Sequence, residues 1–238
     1  MKKNFILIIS FCFIYSSSLF SQSKLKVEYN TTFYGDVFSK GSSKESQAVV
    51  SSTKGTEDKI KTLNFNLVIN NNLSIFSCQQ ELVKDGETSG EKMGKLVAGY
   101  DDVFYKDIIL KKLVSEKEVA FKRYKIDEEY DNFIWEYTTE EKDIQGYKCY
   151  LAKTKFLHLD VYAWYCPSLP YPFGPREFGS LPGLILELQK GKLVFLATKI
   201  SFENVENINF DIDNMKTMSR KEINKIIEKD TENFLNGN

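Results

Sequence analysis

Apolar and polar residues alternate along most of the chain. Leu25, Val27, Tyr29 and Phe33 fall on alternate positions of one segment, and residues 63–69 repeat the pattern. Such alternation gives a strand one apolar face, as in a sheet that is covered on one side. The same reasoning predicts further strands over Leu73–Cys78, Asp102–Leu110, Lys117–Ile126, Asn132–Thr138, Tyr147–Phe156, Asp160–Cys166, Leu184–Gln189 and Lys192–Glu203.

Three other segments lack this alternation. Ser39–Glu57 is rich in Ser, Thr, Gly and Lys, and Asp85–Lys95 has three glycines among charged residues. Both compositions are typical of irregular surface loops. Only the C-terminus predicts a helix, because Ser219 and Glu222 have capping-box spacing before an apolar stripe that begins at Ile223. The prediction is a mainly β fold, either a single curved antiparallel sheet or a partial barrel with a C-terminal α-helix.

The N-terminus has the pattern of a secretory signal peptide. Lys2 and Lys3 precede an apolar run over residues 5–15, and small serines follow it. The run is too short to span a bilayer. We therefore predict a signal peptide over residues 1–22, a single β-rich domain over 23–238, and export to the periplasm or medium. Phe11 immediately before Cys12 argues against a lipoprotein, so no membrane anchor is expected.

The charge balance narrows the range of partners. Removing the signal peptide leaves 30 basic and 33 acidic residues, a net charge of −3. Nucleic-acid binding requires a concentrated basic surface, and attraction to anionic lipid does so too. We expect neither kind of partner.

The cysteines predict a disulfide. If residues 157–158 form a two-residue turn, the register places Leu151 opposite Trp164 and Lys155 opposite Asp160. Cys149 then faces Cys166, and an exported protein favours their oxidation. Two reduced, buried cysteines are the alternative. Cys78 is predicted to be a free, buried thiol.

Few residues suit catalysis or metal binding. His158 is the only histidine, which removes the usual Ser-His and Cys-His pairs and multi-histidine metal sites. Carboxylates are plentiful, but the sequence does not show that any two converge in a cleft. We expect no enzyme activity, no cofactor and no metal.

All five prolines fall within residues 167–182, in one stiff aromatic segment. Leu181-Pro182-Gly183 predicts a type II turn with a positive φ at Gly183, and Ser180 is expected to have an ordinary φ. The sequence leaves both cis and trans open for Tyr171–Pro172. One interpretation is that the segment only caps the core. The other is a binding rim that consists of Trp164, Tyr165, Tyr171, Phe173, Arg176 and Phe178.

The hexapeptide at residues 180–185 resembles the sequence that names the GLPGLI family of secreted Bacteroidetes proteins, which has no established activity. The similarity extends from Trp135 to Leu188, and Ser180 stands where that family has its first glycine. The motif residues that carry the resemblance in the proline segment are Gly174, Pro175, Leu181, Pro182 and Gly183.

Two functions follow as expectations. The first is a non-enzymatic binding protein for an apolar or amphipathic, lipid-like ligand, because aromatic residues are abundant and no nucleophile–base pair is present. The rim's single cation, Arg176, favours a ligand that carries an anion. The second is an interaction module that works beside an outer-membrane receptor or transport protein.

Overall fold

The computed structural model describes residues 24–33, 47–80, 86–119, 122–130, 133–156, 159–202, 214–223 and 225–226. Their strands form one open, curled sheet in the order β12-β6-β5-β4-β3-β2-β1-β11-β10-β9-β8-β7. The strands are β1 Lys24–Phe33, β2 Asn64–Asn70, β3 Leu73–Cys78, β4 Val103–Asp107, β5 Lys112–Val119, β6 Lys122–Glu128, β7 Glu136–Ile144, β8 Tyr147–Phe156, β9 Leu159–Cys166, β10 Leu184–Lys190, β11 Leu193–Ser201 and β12 Met218–Ser219.

The predicted fold class is confirmed. All neighbouring strands are antiparallel except β12, which pairs with β6 in parallel. A small C-terminal helix occupies residues 220–223 and 225–226. Its predicted capping box is present, since the Glu222 backbone N–H donates to Ser219 Oγ at 3.3 Å and the Ser219 N–H donates to Glu222 Oε2 at 2.7 Å. No helix in the described residues is long and apolar enough to cross a bilayer.

The two faces of the sheet differ. We call the face that carries Thr31 the covered face, because Thr31 Oγ1 donates to the carbonyl oxygens of Ile60 and Leu63 at 2.5 and 3.1 Å. Phe195 and Leu188 follow Thr31 across successive strands and share its face. The opposite face, which we call the open face, carries Asn30, Leu196, Glu187 and Trp164, all at least partly exposed.

Two helices occupy segments that the sequence predicted to be loops, so those predictions were wrong. Helix α1 spans Gln47–Thr62 and α2 spans Ser89–Ala98. Their glycines permit close packing between the helices: a Cβ on Gly94 would lie 2.7 Å from the Thr56 carbonyl oxygen, and one on Gly55 would lie 3.6 Å from Gly90 Cα. The capping box of Thr88 and Glu91 was the overlooked signal for α2.

The β8–β9 hairpin has the predicted register, with Leu151 opposite Trp164 and Lys155 opposite Asp160. The predicted turn at residues 157–158 lies outside the described residues. So do the predicted signal peptide and the predicted loop up to residue 46.

The disulfide between Cys149 and Cys166 is not formed. The β8–β9 ladder ends one step earlier, at Tyr150–Tyr165, and each cysteine pairs instead with its other neighbouring strand. Each sulfur has another partner: Cys149 Sγ donates to the Tyr147 carbonyl oxygen at 3.4 Å, and Cys166 Sγ lies 3.0 Å from Ser168 Oγ. Burial raises the pKa of Cys149 to about 12, with Cys166 adding to the rise. Cys149 is therefore held as the thiol, which is unreactive toward oxidation. Cys78 is a buried thiol outside any disulfide, as predicted, and its Sγ donates to the Asn64 carbonyl oxygen at 3.3 Å.

Candidate functional site

The proline segment, which we call the proline loop (residues 167–183), is a chain of very tight turns. Three prolines each sit at the centre of a turn in which the residue after proline donates its backbone N–H to the carbonyl oxygen of the residue before it. The donors are Tyr171, Phe173 and Gly183, with N···O distances of 2.7, 2.8 and 2.7 Å. Such three-residue turns need φ near −75° at the centre, which proline supplies. The Tyr171–Pro172 bond is trans.

The predicted type II turn at Leu181-Pro182-Gly183 was wrong. The tight turn at Pro182 replaces it, and Gly183 is not among the glycines with positive φ. The positive φ, +62°, belongs to Ser180, where an ordinary φ was expected. Gly183 is nevertheless required for steric reasons, because a Cβ there would lie 2.2 Å from the Cys166 carbonyl oxygen.

The apolar side chains of the proline loop point into the core on the covered face. Phe173, Phe178 and Leu181 are fully buried. Phe178 packs against Phe133 with ring centroids 4.7 Å apart, and against Phe156 at 5.6 Å. The Trp135 indole N–H donates to the Gly179 carbonyl oxygen at 3.0 Å, which fixes the loop to the segment before β7.

A buried ionic network ties the loop to both halves of the sheet. Glu177 accepts from Lys190 Nζ of β10 at 2.7 Å and from Arg176 Nε at 3.3 Å. Arg176 also donates to Asp102 Oδ2 and to the Ala98 carbonyl oxygen, both at 3.2 Å. Burial by itself would raise the pKa of Glu177, but the charges of Arg176 and Lys190 outweigh it and lower that pKa to about 2. Glu177 is therefore ionised at neutral pH and holds two cations in place.

The structure distributes the six predicted rim residues among different environments. Phe173 and Phe178 lie in the core, and Arg176 is engaged in the ionic network. Tyr165 lies on the covered face, 6.0 Å from the ring of Tyr137. Tyr171 is partly buried in the proline loop, packed against the core.

Trp164 differs from the other five because it lies on the open face. Lys142 Nζ lies 4.3 Å above its ring and 2.6 Å from Glu187 Oε2. Tyr162 is two residues away along β9, and therefore points to the same face. Trp164 and Tyr162 therefore both lie on the open face of the sheet, outside the core on the covered face.

A cavity of about 600 Å³ lies next to Tyr162, where β7 begins. Its apolar lining includes Ile134, whose side chain is 90% exposed. The Ile134 carbonyl oxygen accepts from Thr154 Oγ1 at 2.9 Å, which holds the segment before β7 against β8. The full lining is Ile134, Trp135, Glu136, Lys153, Thr154, Lys155, Asp160, Val161 and Tyr162.

Sequence reasoning missed this cavity, although a signal was present. Phe133, Ile134 and Trp135 are three consecutive large apolar residues, and an extended segment cannot point all three toward one core. One of them must face outward, and in the structure Ile134 does so. The described residues contain no group of three His, Cys, Asp or Glu side chains that could hold a metal ion.

Comparison with known proteins finds a family match over part of the chain and a shared fold. Residues 155–187 match the model of a family described as "Protein of unknown function (Porph_ging)". This is a Porphyromonas and Bacteroidetes family. The match covers the end of β8, all of β9, the proline loop and the first half of β10. No curated protein matches the chain.

The fold itself is found in solved structures of PNGF-II. Its structures in space groups P21 and C2 both superpose with a TM-score of 0.55, at 14% and 15% sequence identity. Each superposition covers 87% of this chain but only 34% or 33% of the PNGF-II chain. This chain therefore spans about a third of the length of PNGF-II, and the likeness is one of fold.

Proposed function

We propose that this protein is an exported, non-enzymatic binding protein of the GLPGLI family that takes an apolar or amphipathic ligand. The observation that carries the proposal is the cavity at the start of β7, which combines an aromatic wall with the almost fully exposed Ile134. Its volume lies within the range of small-molecule sites. An exposed isoleucine beside a cavity stays in contact with water until an apolar group covers it.

The family assignment and the export rest on the sequence. The segment that resembles the GLPGLI family, Trp135–Leu188, contains the family match at residues 155–187. N-terminal sequencing of protein recovered from cells tests the export: the mature chain should begin at Gln22 or Ser23. The non-enzymatic role rests on the lone histidine and the missing nucleophile–base pair.

Titration with a fluorescent apolar probe, 1-N-phenylnaphthylamine, tests the binding site. We expect saturable binding of one probe per chain, weakened at least about fivefold by Ile134→Asp, because the charge would have to be desolvated beside the probe. Leu96→Asp is the matched control, since Leu96 is a similarly exposed aliphatic residue of α2, outside the cavity lining. Absence of saturable binding, or an equal loss in both variants, would contradict the proposal.

A second candidate is an interaction module beside an outer-membrane receptor or transport protein. Strand β7 ends the order of the described sheet, and six of its nine residues are exposed. An edge strand of this kind can pair with a strand of another protein. Affinity capture from native envelope distinguishes the two functions: a stoichiometric protein partner supports the module, whereas co-purifying lipid supports the binding protein.

A further inference from the structure

The charges around the cavity are not evenly paired. Glu136 of β7 lies directly opposite Lys153 of β8 in the ladder, so the two side chains share a face. Lys153 nevertheless donates to Glu140 Oε1, at 3.1 Å. A two-residue irregularity between Tyr137 and Glu141 places Glu140 within reach of this lysine. The cross-strand partner of Glu136 is thus engaged by another carboxylate.

The second lysine of the lining is also paired. Lys155 Nζ lies 3.9 Å from Asp160 Oδ1, its cross-strand neighbour. The Glu136 carboxylate has neither a hydrogen bond nor an ion pair with any described residue. Both ammonium groups of the lining therefore have carboxylate partners, and one carboxylate at its rim has no cationic partner.

The aromatic residues of the lining also favour a positively charged ligand. The faces of tryptophan and tyrosine rings attract cations, and an ammonium group is already found near one of them, since Lys153 Nζ lies 6.0 Å from the centre of the Tyr162 ring. Trp135 lies next to Glu136 in the chain and lines the same cavity. A carboxylate beside aromatic rings is a recurrent arrangement for binding organic ammonium groups.

We propose that the cavity binds an organic cation with an apolar body, whose ammonium group contacts Glu136 and whose body covers Ile134. This inference rests on the proposed binding function and names the chemical class of its ligand. It replaces the expectation of an anionic ligand, which depended on Arg176. The Arg176 side chain is only 11% exposed and is held by Asp102 and Glu177, so it is not available to a ligand at this cavity.

Three probes with the same ten-carbon chain and different head groups test the class. They are decyltrimethylammonium, decanoate and decyl maltoside, each below its micellar concentration, with binding followed by competition against phenylnaphthylamine. We expect the cation to bind about three- to tenfold more tightly than either other probe, as one partly exposed ion pair with an aromatic contribution would give.

Charge-neutralising variants test the position of the head group. Glu136→Gln should remove the preference for the cation and leave the affinity for decyl maltoside unchanged. Glu141→Gln is the matched control, because Glu141 is an exposed residue of the same strand, is paired with Lys148 and lies outside the lining. Glu140→Gln should also weaken cation binding about twofold or more, since it releases Lys153 toward Glu136.

The outcomes separate this inference from the function on which it rests. If phenylnaphthylamine itself shows no saturable binding, both are wrong. If it binds but decyltrimethylammonium does not displace it, the binding function stands and the cation class is wrong. If the probes bind but decanoate or decyl maltoside binds as tightly as the cation, the binding function stands and the cation class is wrong. An equal effect of Glu136→Gln and Glu141→Gln would overturn the role assigned to Glu136.

Discussion

The proline loop and the cavity at the start of β7 use similar residues in opposite ways. In the loop, aromatic rings are buried and Arg176 and Glu177 neutralise each other inside the protein. At the cavity, Ile134 is exposed and Glu136 has no cationic partner among the described residues. The densest sequence motif of this chain therefore builds structure, whereas the exposed apolar side chain and the unpaired carboxylate lie where no motif is present.

The largest loss of stability should come from substituting Gly183 in the proline loop. Gly183→Ala places a Cβ 2.2 Å from the Cys166 carbonyl oxygen, a backbone atom that cannot move away cheaply. We expect a loss of at least about 3 kcal/mol in the free energy of unfolding, measured by denaturant melts. Gly146→Ala is the control, because its φ of +79° adds strain but its Cβ meets no atom within 4 Å; it should cost about 1 kcal/mol. Equal losses would contradict the steric explanation.

The second effect concerns the buried charges. Glu177→Gln leaves Arg176 and Lys190 without their shared carboxylate and should cost about 3 kcal/mol. Glu118→Gln, an exposed substitution on β5, is the control and should change stability by less than about 0.5 kcal/mol. If Glu177→Gln unfolds like the control, the network does not hold the loop.

The same carboxylate predicts a pH dependence. The pKa of Glu177 is about 2 in the folded protein, below its ordinary value of 4.5. A lowered pKa means that the stabilisation is complete above the unfolded value and is lost as the pH falls from about 5 toward 2. Melts of the parent protein and of Glu177→Gln should therefore converge over this range. Curves that stay parallel down to pH 2 would show that the pKa of Glu177 is not lowered.

A smaller effect, of opposite sign, is expected at Ser180. A φ of +62° strains a residue with a Cβ, so Ser180→Gly should stabilise the protein by about 0.5 kcal/mol after the greater freedom of glycine in the unfolded chain is included. Thermal and denaturant melts of the two proteins measure the difference. A loss of stability would mean that Ser180 contributes contacts that outweigh the strain.

The smallest effect should be at the cavity. Ile134→Ser removes an apolar side chain that is 90% exposed, so the free energy of unfolding should change by less than about 0.5 kcal/mol while phenylnaphthylamine affinity falls. A large loss of stability would show that Ile134 supports the fold. The cavity would then support the fold as the proline loop does, and the contrast between these two regions would be wrong.

Local patterns predicted most strands and the hairpin, although the strand predicted over Asn132–Thr138 overlaps β7 only at residues 136–138. Leu151–Trp164 and Lys155–Asp160 are neighbours in a short hairpin, where alternation and turn length fix the register with little influence from the rest of the chain. The capping box at Ser219 was equally local. By contrast, the prediction joined parts of β5 and β6 into one strand, since the composition hardly changes from one strand to the next.

The wrong predictions share a physical cause. Gly55, Gly90 and Gly94 indicated loops, but they lie where α1 and α2 pack together, and a Cβ on Gly94 would lie 2.7 Å from the Thr56 carbonyl oxygen. Gly183 indicated a positive φ, but its role is to let the chain pass the Cys166 carbonyl group. The hairpin brings Cys166 close enough to raise the pKa of Cys149, yet the two cysteines remain buried thiols without a disulfide. In each case the deciding neighbour comes from another element, which a pattern within one segment does not contain.

The position of β1 in the sheet has a consequence for the order in which the chain assembles. Strand β1 lies between β2, which follows soon after it, and β11, which pairs from Lys26–Ser201 to Phe33–Leu193. Pairings over such sequence separations form slowly, because a long loop must close first. A chain that emerges N-terminus first can complete β1–β6 early but must keep one edge of β1 unpaired until about 160 further residues have followed Phe33. We expect this edge, until β11 arrives, to be where a newly synthesised chain is most exposed to aggregation and most in need of a chaperone.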